Sequence, residues 1–417
     1  MTIHLTMEFI VSRNSLLQAL RHTWHAILKR NALPPFKNYV LTFSNDCRPV
    51  MTVHTSNGEI WMTEDVVLDG SKDELHPIAI YYNDLLSAIK ALDEQPLRFV
   101  VGEYQMTVYH EIGSFRLPLA NNAEEFLSWH APCPDVEAKD CHSLNYEAPA
   151  LASILNRCSY AMSQDDLRPV MNGVHINLTE DYSDYVASDG HVLVRVRKQP
   201  MKCNVSGAGK ATNFIFPSQI VRILRRVLPK TGDVDIDYQE KREKPVKPGV
   251  TEPYIKAQCR ITIDGNMTVA FNPVDGRYPN YLSVFPVNSQ YEMLTDRRAL
   301  IKSLDRLVLF ANESIEMVRM TVSRDKLKLR TEDREFSLEG EEELPCECNM
   351  DTDVSMTIGM QATRLSKTLK TMTTEKVAIH IEDSSRAVII TPQPQPDNEE
   401  LTYLIMPMLC NDNDDRL

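Results

Sequence analysis

A chain of 417 residues exceeds what one small hydrophobic core organises and suits about two to four domains. With 43% hydrophobic and 25% charged residues, it is neither wholly disordered, nor collagen-like, nor a bundle of membrane spans. The formal net charge of -13, taken as an average, argues against a nucleic-acid partner, because a uniformly acidic surface repels phosphates.

The N-terminal stretch from Met1 to Leu20 lacks the basic-then-apolar order and small-residue cleavage site of a secretory signal, and no run approaches the ~18 consecutive apolar residues of a membrane helix. A cytoplasmic protein without a membrane partner is expected. From there the chain repeats one layout three times: a strand, a long amphipathic helix, a set of strands, a second helix, and more strands. The spacing predicts first helices over Arg13 to Arg30, Glu147 to Asp165 and Arg297 to Asn312. Leu16, Leu17, Leu20, Trp24, Ile27 and Leu28 share one face of the first, and Leu151, Ile154 and Leu155 one face of the second.

The second helices are expected to begin near Asn83, Ser218 and Ala362, each running into a strand: Leu97 to Val101, Val234 to Tyr238 and Val377 to Ile381. Phe115, Leu117 and Leu119 alternate with Arg116 and Pro118 as a strand does, while Val322, Leu327, Leu329, Phe336 and Leu338 read as hairpin apolar positions. Exposed loops are predicted at Gln239 to Pro253 and Pro392 to Glu399, and interdomain crossings at Asn121 to Asn145 and near Pro286 to Gln290. The fold class that follows is α+β: three repeated domains at 1–130, 131–284 and 285–417, each with two helices on mostly antiparallel sheet.

The nine cysteines, at positions 47, 133, 141, 158, 203, 259, 346, 348 and 410, are scattered and contain no C-x-x-C pair. They read as reduced thiols. Neither Cys133, Cys141 and His142 nor Cys346 and Cys348 has the spacing of a structural zinc site, so no metal is expected.

Charge is unevenly distributed. The predicted helical segments 13–30 and 216–232 each carry +4, and 297–312 and 361–376 each carry +3. With 81–95 at -2 and 147–165 at -1, the six segments total +11 and leave -24 for the rest of the chain. A single basic helix is usually just a solvated face. Four of six at equivalent places in a repeat point to one anion-facing surface on an otherwise acidic body.

Four blocks then bring a family into view: Leu167-Arg-Pro-Val-Met-Asn-Gly-Val174, Val186-Ala-Ser-Asp-Gly-His-Val-Leu193, Val274-Asp-Gly-Arg-Tyr-Pro-Asn-Tyr281 and Tyr403-Leu-Ile-Met-Pro-Met408. In this order and spacing, with Met7 to Val11, Leu33-Pro34, Asn38 and Arg306 to Glu313 in support, the chain resembles the bacterial DNA sliding clamp, the beta subunit of DNA polymerase III. The resemblance covers essentially the whole length. It implies the DNA clamp fold, a head-to-tail homodimeric ring whose helices face duplex DNA bound without regard to sequence, and a non-catalytic subunit that tethers DNA polymerase and other replication and repair proteins. The polymerase and the clamp loader would attach through short linear peptides. No cofactor is implied.

Carried over position by position, the family's peptide pocket would be formed by Met171, Ser188, Gly190, His191, Leu193, Pro279, Val284, Leu404, Met406, Pro407 and Met408. For these residues alone, a core role for the methionines and a plain hairpin turn at Ser188 to His191 are the competing readings. For DNA, the resemblance points to Lys29 and Arg30, and the charge count adds Arg222, Arg225, Arg226, Lys367 and Lys370. For the ring seam, it sets Phe115 and Leu117 against Leu309 and Phe310, which ordinary core packing would also explain. Departures concern charge: Val192, Ser283 and Leu409 stand where the family frequently has a basic residue. Cys410 replaces a common leucine, and an acidic stretch, Asn411 to Leu417, follows. That stretch is expected to screen the pocket from acidic peptides.

Catalytic signals are poor. Gly207-Ala-Gly209-Lys210 lacks the spacing and the following hydroxyl of a phosphate loop, and Ser188, Asp189 and His191 lie too close on one turn to act as a triad. An enzyme is not expected. The competing function is a clamp-like protein-interaction scaffold that does not encircle DNA.

Overall fold

The computed structural model describes residues 7–27, 33–44, 48–72, 75–199, 204–205, 212–243, 254–286 and 289–410. Every strand ladder among them is antiparallel. The chain divides into two compact units, one of Met1–Leu151, Lys202–Ala208 and Ile223–Pro273, the other of Ala152–Met201, Gly209–Arg222 and Val274–Leu417.

The threefold layout is written in the backbone. Each first helix is preceded by a strand that pairs with the strand following the second helix: Met7–Ser12 with Pro96–Val101, Cys141–Glu147 with Asp233–Gln239, and Tyr291–Asp296 with Lys376–Ile381. At each junction the amide opening the first helix donates to the carbonyl just before the returning strand. These bonds are Arg13 to Gln95 at 3.0 Å, Ala148 to Gly232 at 2.9 Å and Arg297 to Glu375 at 2.8 Å. The geometry of one repeat is thus built three times from different side chains.

The first helices are shorter than their apolar periodicity predicts: Arg13–Thr23, Ala148–Cys158 and Arg297–Leu307, each closed by a 3₁₀ turn at Trp24–Ala26, Ser159–Ala161 and Val308–Phe310. In the first repeat the cause is lateral. The Tyr39 hydroxyl donates to the Leu20 carbonyl at 2.8 Å and Thr55 Oγ1 to the Thr23 carbonyl at 2.7 Å, so side chains from the sheet satisfy the acceptors at the helix end. Ser12 and Asp296 cap the starts, accepting from the Ser15 and Ala299 amides. The second helices are Tyr82–Lys90, Ser218–Val227 and Ala362–Lys370, as the sequence places them.

In the first unit, a five-stranded sheet packs under the helices through Phe9 stacked on Phe99 (4.8 Å), with Leu16, Leu17, Leu20, Leu85 and Ile89 buried against it. A nine-stranded sheet joins the first and second repeats where Ile60–Val67 pairs with Met267–Phe271. The second unit holds one twelve-stranded sheet, in which Val192–Lys198 of the second repeat pairs with Glu399–Ile405 of the third.

The segment Asn121 to Asn145 contains a short helix, Ala123–Ser128, and runs into the strand Cys141–Glu147. Several expected loops and strands are corrected. The proline-rich turn between the last two strands is confined to 394–398, since Val388–Gln393 and Glu399–Ile405 are strands. Gln239 belongs to a strand and 244–253 lie outside the described residues. Phe336 and Leu338 are exposed, unlike the buried Val322, Leu327 and Leu329, because they sit at a hairpin tip where Ser337 has φ 55°.

Candidate docking cleft and basic helix faces

The turn Ser188 to Val192 joins two interior strands of the twelve-stranded sheet, Ser183–Ser188 and Val192–Lys198, and is built by its own side chains. Asp189 Oδ1 accepts from the His191 and Val192 amides at 2.8 and 2.7 Å. Ser188 Oγ donates to the Val192 carbonyl at 2.8 Å and accepts from the Gly190 amide at 3.1 Å. Gly190 has φ +92°, a backbone conformation that a Cβ would strain. These bonds use the Ser188 hydroxyl and one Asp189 oxygen structurally, and they give the turn no catalytic arrangement.

Beside this turn lies a cleft of about 220 Å³. Nine of the eleven predicted pocket residues line it: Met171, Ser188, Gly190, His191, Leu193, Pro279, Val284, Leu404 and Met406. Pro407 and Met408 do not. The Met406 amide donates to the His191 carbonyl at 2.8 Å and keeps that residue at the cleft, whereas the Met408 amide is drawn to Gly359, also at 2.8 Å. Four further lining residues, Val192, Tyr278, Asn280 and Tyr281, were not predicted. All fall inside the blocks 186–193 and 274–281, so their neighbours were the available signal.

The cleft floor is braced from below. Tyr278 stacks on His175 with ring centres 4.6 Å apart and planes 4° from parallel. The Tyr281 hydroxyl donates to Asp184 Oδ2 at 2.7 Å and accepts from Asn177 at 3.1 Å. The fully buried Asp184 is in turn held by both Nε and Nη2 of Arg197, at 2.7 and 2.8 Å. Burial pushes His175 down to about 4 against a weaker opposing pull from Asp184, so the ring is neutral at pH 7. Rigid walls of Met, Leu, Val and Tyr with polar edges suit a short peptide carrying apolar anchors. Leu282, Val284 and Met406 are 45%, 48% and 41% exposed, an apolar rim still open to a partner.

The cations of the basic helices differ in burial and exposure. Arg13 and Arg297 are structural: Arg13 donates to the Ile89 and Lys90 carbonyls, and the buried Arg297 to those of Thr374 and Leu369. Arg306 pairs with Glu342 and Lys370 with Asp305. On Ser218–Val227 the division is clean, with Ile220, Val221, Ile223, Leu224 and Val227 buried and Arg222, Arg225 and Arg226 exposed. Lys367 is exposed and lines a second cleft with Tyr160, Asp189 and Arg364. Lys29 and Arg30 lie outside the described residues, as do Gly207 to Lys210 and Asn411 to Leu417.

Of the predicted seam residues, Leu309 (73% exposed) and Phe310 (40%) are open on the surface. Leu117 is buried in the core of the first repeat, and the half-buried Phe115 packs against that core. Their strand, Gly113–Pro118, nevertheless forms an edge of the five-stranded sheet. Among the described residues no further strand pairs with its outer side.

Comparison with known proteins agrees with this architecture. Residues 7–127, 146–280 and 282–409 match the N-terminal, central and C-terminal domains of the DNA polymerase III beta subunit. The beta sliding clamp of Pseudomonas putida is 24% identical over 405 residues, covering 96% of this chain and all of that protein. That of Treponema pallidum is 21% identical, covering 96% and 99%. Among solved structures, the Pseudomonas aeruginosa sliding clamp bound to griselimycin superposes with a TM-score of 0.80 at 24% identity. The Thermotoga maritima beta subunit gives 0.81 at 16%, and both alignments cover 97% of this chain and 100% of the other.

The fold is therefore the DNA clamp fold in three domains, that of a non-catalytic processivity factor. The chain belongs to the DNA polymerase III beta-subunit family and is a sliding clamp.

Proposed function

We propose that two copies of this chain close head to tail into a ring around duplex DNA, and that the cleft beside Ser188 to Val192 holds DNA polymerase, the clamp loader and repair proteins by short peptides. The observation that carries the DNA part is the helix Ser218–Val227, whose apolar side is buried while Arg222, Arg225 and Arg226 stand exposed. Phosphate contacts of this kind carry no sequence information and exchange along the duplex at no net cost, so a closed ring slides while remaining linked. A tethered polymerase then rebinds its primer end from a high local concentration. Lys29, Arg30, Lys367 and Lys370 are secondary candidates for phosphate contacts.

For the seam, we assign the open edge Gly113–Pro118 of one copy to the third domain of the other, near Leu309 and Phe310. There, among the described residues, Leu338 to Leu344 pairs with Lys326–Asp333 on one side only. Two unlike edges meeting make a heterologous contact that closes after two subunits. Light scattering of the full chain tests this reading: a species of twice the chain mass is expected, and a strict monomer at micromolar concentration contradicts it. Leu309→Asp with Phe310→Asp is expected to shift the dimer toward monomer.

A further inference from the structure

We propose that the junction of the first and second repeats holds a second, latent docking cleft for a short peptide, kept shut by the chain's own Phe36 and Trp129, which stand in for the peptide's apolar anchor. This rests on the docking reading above and extends it to the site that the repeat builds twice.

The turn Ser56 to Ile60 duplicates the turn at the docking cleft bond for bond. The Gly58 amide donates to Ser56 Oγ at 2.9 Å, and Asn57 Oδ1 accepts from the Glu59 and Ile60 amides at 2.9 and 2.7 Å. Gly58 has φ +91° where Gly190 has +92°. The strands around the two turns keep one register as well. Trp61 pairs with Ala270 as Leu193 pairs with Leu404, and Asn38 meets Tyr81 just ahead of the second helix as Gly173 meets Pro217. The Ala120 amide donates to the Ala79 carbonyl at 2.9 Å where the Val274 amide donates to the Ile215 carbonyl at 3.1 Å. By this register Trp61 corresponds to Leu193, and Phe36, just before Asn38, to Met171, just before Gly173. Farther along, Leu127-Ser128-Trp129 repeats Leu282-Ser283-Val284 and matches Trp129 to Val284.

What differs is bulk. Met171, Leu193 and Val284 line the open docking cleft, and all three positions are aromatic at the first junction. The Phe36 ring lies against the turn itself, since a Cβ on Gly58 would meet its Cε2 at 3.3 Å, whereas a Cβ on Gly190 would meet only the Arg168 guanidinium within 4 Å. Phe36 sits edge-on to Trp61, Phe126 and Trp129, with ring centres 5.9, 5.9 and 5.4 Å apart. Phe36, Trp61 and Phe126 are buried, and Trp129 is 47% exposed. Standing just past the short helix Ala123–Ser128, Trp129 is therefore the outermost ring and covers the junction from the solvent side. With these rings cut back, the same turn and the same strand register leave an apolar recess of the kind that takes a peptide anchor.

The test gives the first junction the residues of the docking cleft, Phe36→Met with Trp129→Val, in the full chain. Calorimetry then counts the bound copies of a ten-residue peptide ending in a leucine-phenylalanine pair. The wild-type chain is expected to bind one peptide and the double variant two. With the docking cleft disabled by Met406→Asp, the wild-type junction binds none and the opened junction binds one. Trp129→Phe, which keeps a ring in place, stays at one. Matching thermal melts establish that the variants are folded, and Trp129→Val alone, a change at a half-exposed position, replaces the pair if the pair melts early. A folded variant that still binds one peptide at millimolar concentration overturns the proposal and makes the aromatic cluster ordinary core. A wild-type chain that binds two, one of them surviving Met406→Asp, overturns it as well, because Phe36 and Trp129 then close nothing. Failure of the peptide on the wild-type chain overturns the docking reading itself, and is told apart because the other contrary results both leave the wild-type cleft occupied.

Discussion

Two tyrosines on the cleft floor separate packing from hydrogen bonding. Tyr281 donates to the buried Asp184, so Tyr281→Phe strips a partner from a buried carboxylate and is expected to cost about 1–3 kcal/mol in urea unfolding. The hydroxyl of Tyr278 is buried and, among the described residues, meets no side chain in a hydrogen bond, only the Ser188 backbone in a weak one. Tyr278→Phe keeps the stack on His175 and is expected to leave stability unchanged or raise it by up to about 1 kcal/mol. Equal destabilisation by both substitutions contradicts this assignment. His175 and His54 add a pH signature, since burial pushes both down to about 4, against opposing pulls from Asp184 and Asp65. Below 6.5 the unfolded chain takes up protons that the folded chain refuses, so these two sites favour unfolding progressively as pH falls from 6.5 to about 4. Substituting His175 by Gln is expected to flatten that part of the stability curve.

At the scale of elements, the arginines opening two of the first helices show how a repeat is reinforced unequally. Arg297 is buried and its guanidinium bonds the carbonyls of Thr374 and Leu369, so Arg297→Met removes two charge-assisted hydrogen bonds that tie the helix start to the following turn and is expected to cost about 1–3 kcal/mol. Arg13 makes the equivalent tie where solvent can replace it, and Arg13→Met is expected to cost less than about 1 kcal/mol. The second repeat has Ala148 in this place and no such tie. Denaturation of both variants checks the order, and a larger loss at Arg13 contradicts it.

Much of this scale was legible in the sequence, because helical periodicity and the returning strands are local patterns that tertiary packing reinforces. The helix ends were not legible. They are set by Tyr39 and Thr55, residues distant in sequence that take the last carbonyls. The direction of Phe115 and Leu117 was hidden for a related reason: alternation shows that two residues share a face, and only the sheet's packing shows which face is core. In the cleft, nine of eleven positions were readable because they sit in compact blocks, whereas Met408 escaped through a backbone bond to Gly359 that no local pattern announces.

For the whole molecule, the net charge of -13 loses its force as an argument once it is resolved into segments. Structure sharpens the count further, since Arg13, Arg297, Arg306 and Lys370 are engaged within the fold and Arg222, Arg225 and Arg226 stand exposed on one helix. Changing those three to Gln is expected to lower the slope of log affinity against log salt by up to about 0.9 per lost phosphate contact, across all sequences alike. An unchanged slope places the DNA surface elsewhere.

The central claim is that attachment to DNA is topological. It is tested most directly by loading the protein onto nicked circular DNA with an ATP-driven clamp loader, cutting the circle, and measuring what stays bound. The account predicts retention on the closed circle and rapid loss from the linear product as rings slide off its ends. Equal retention on both forms would contradict it.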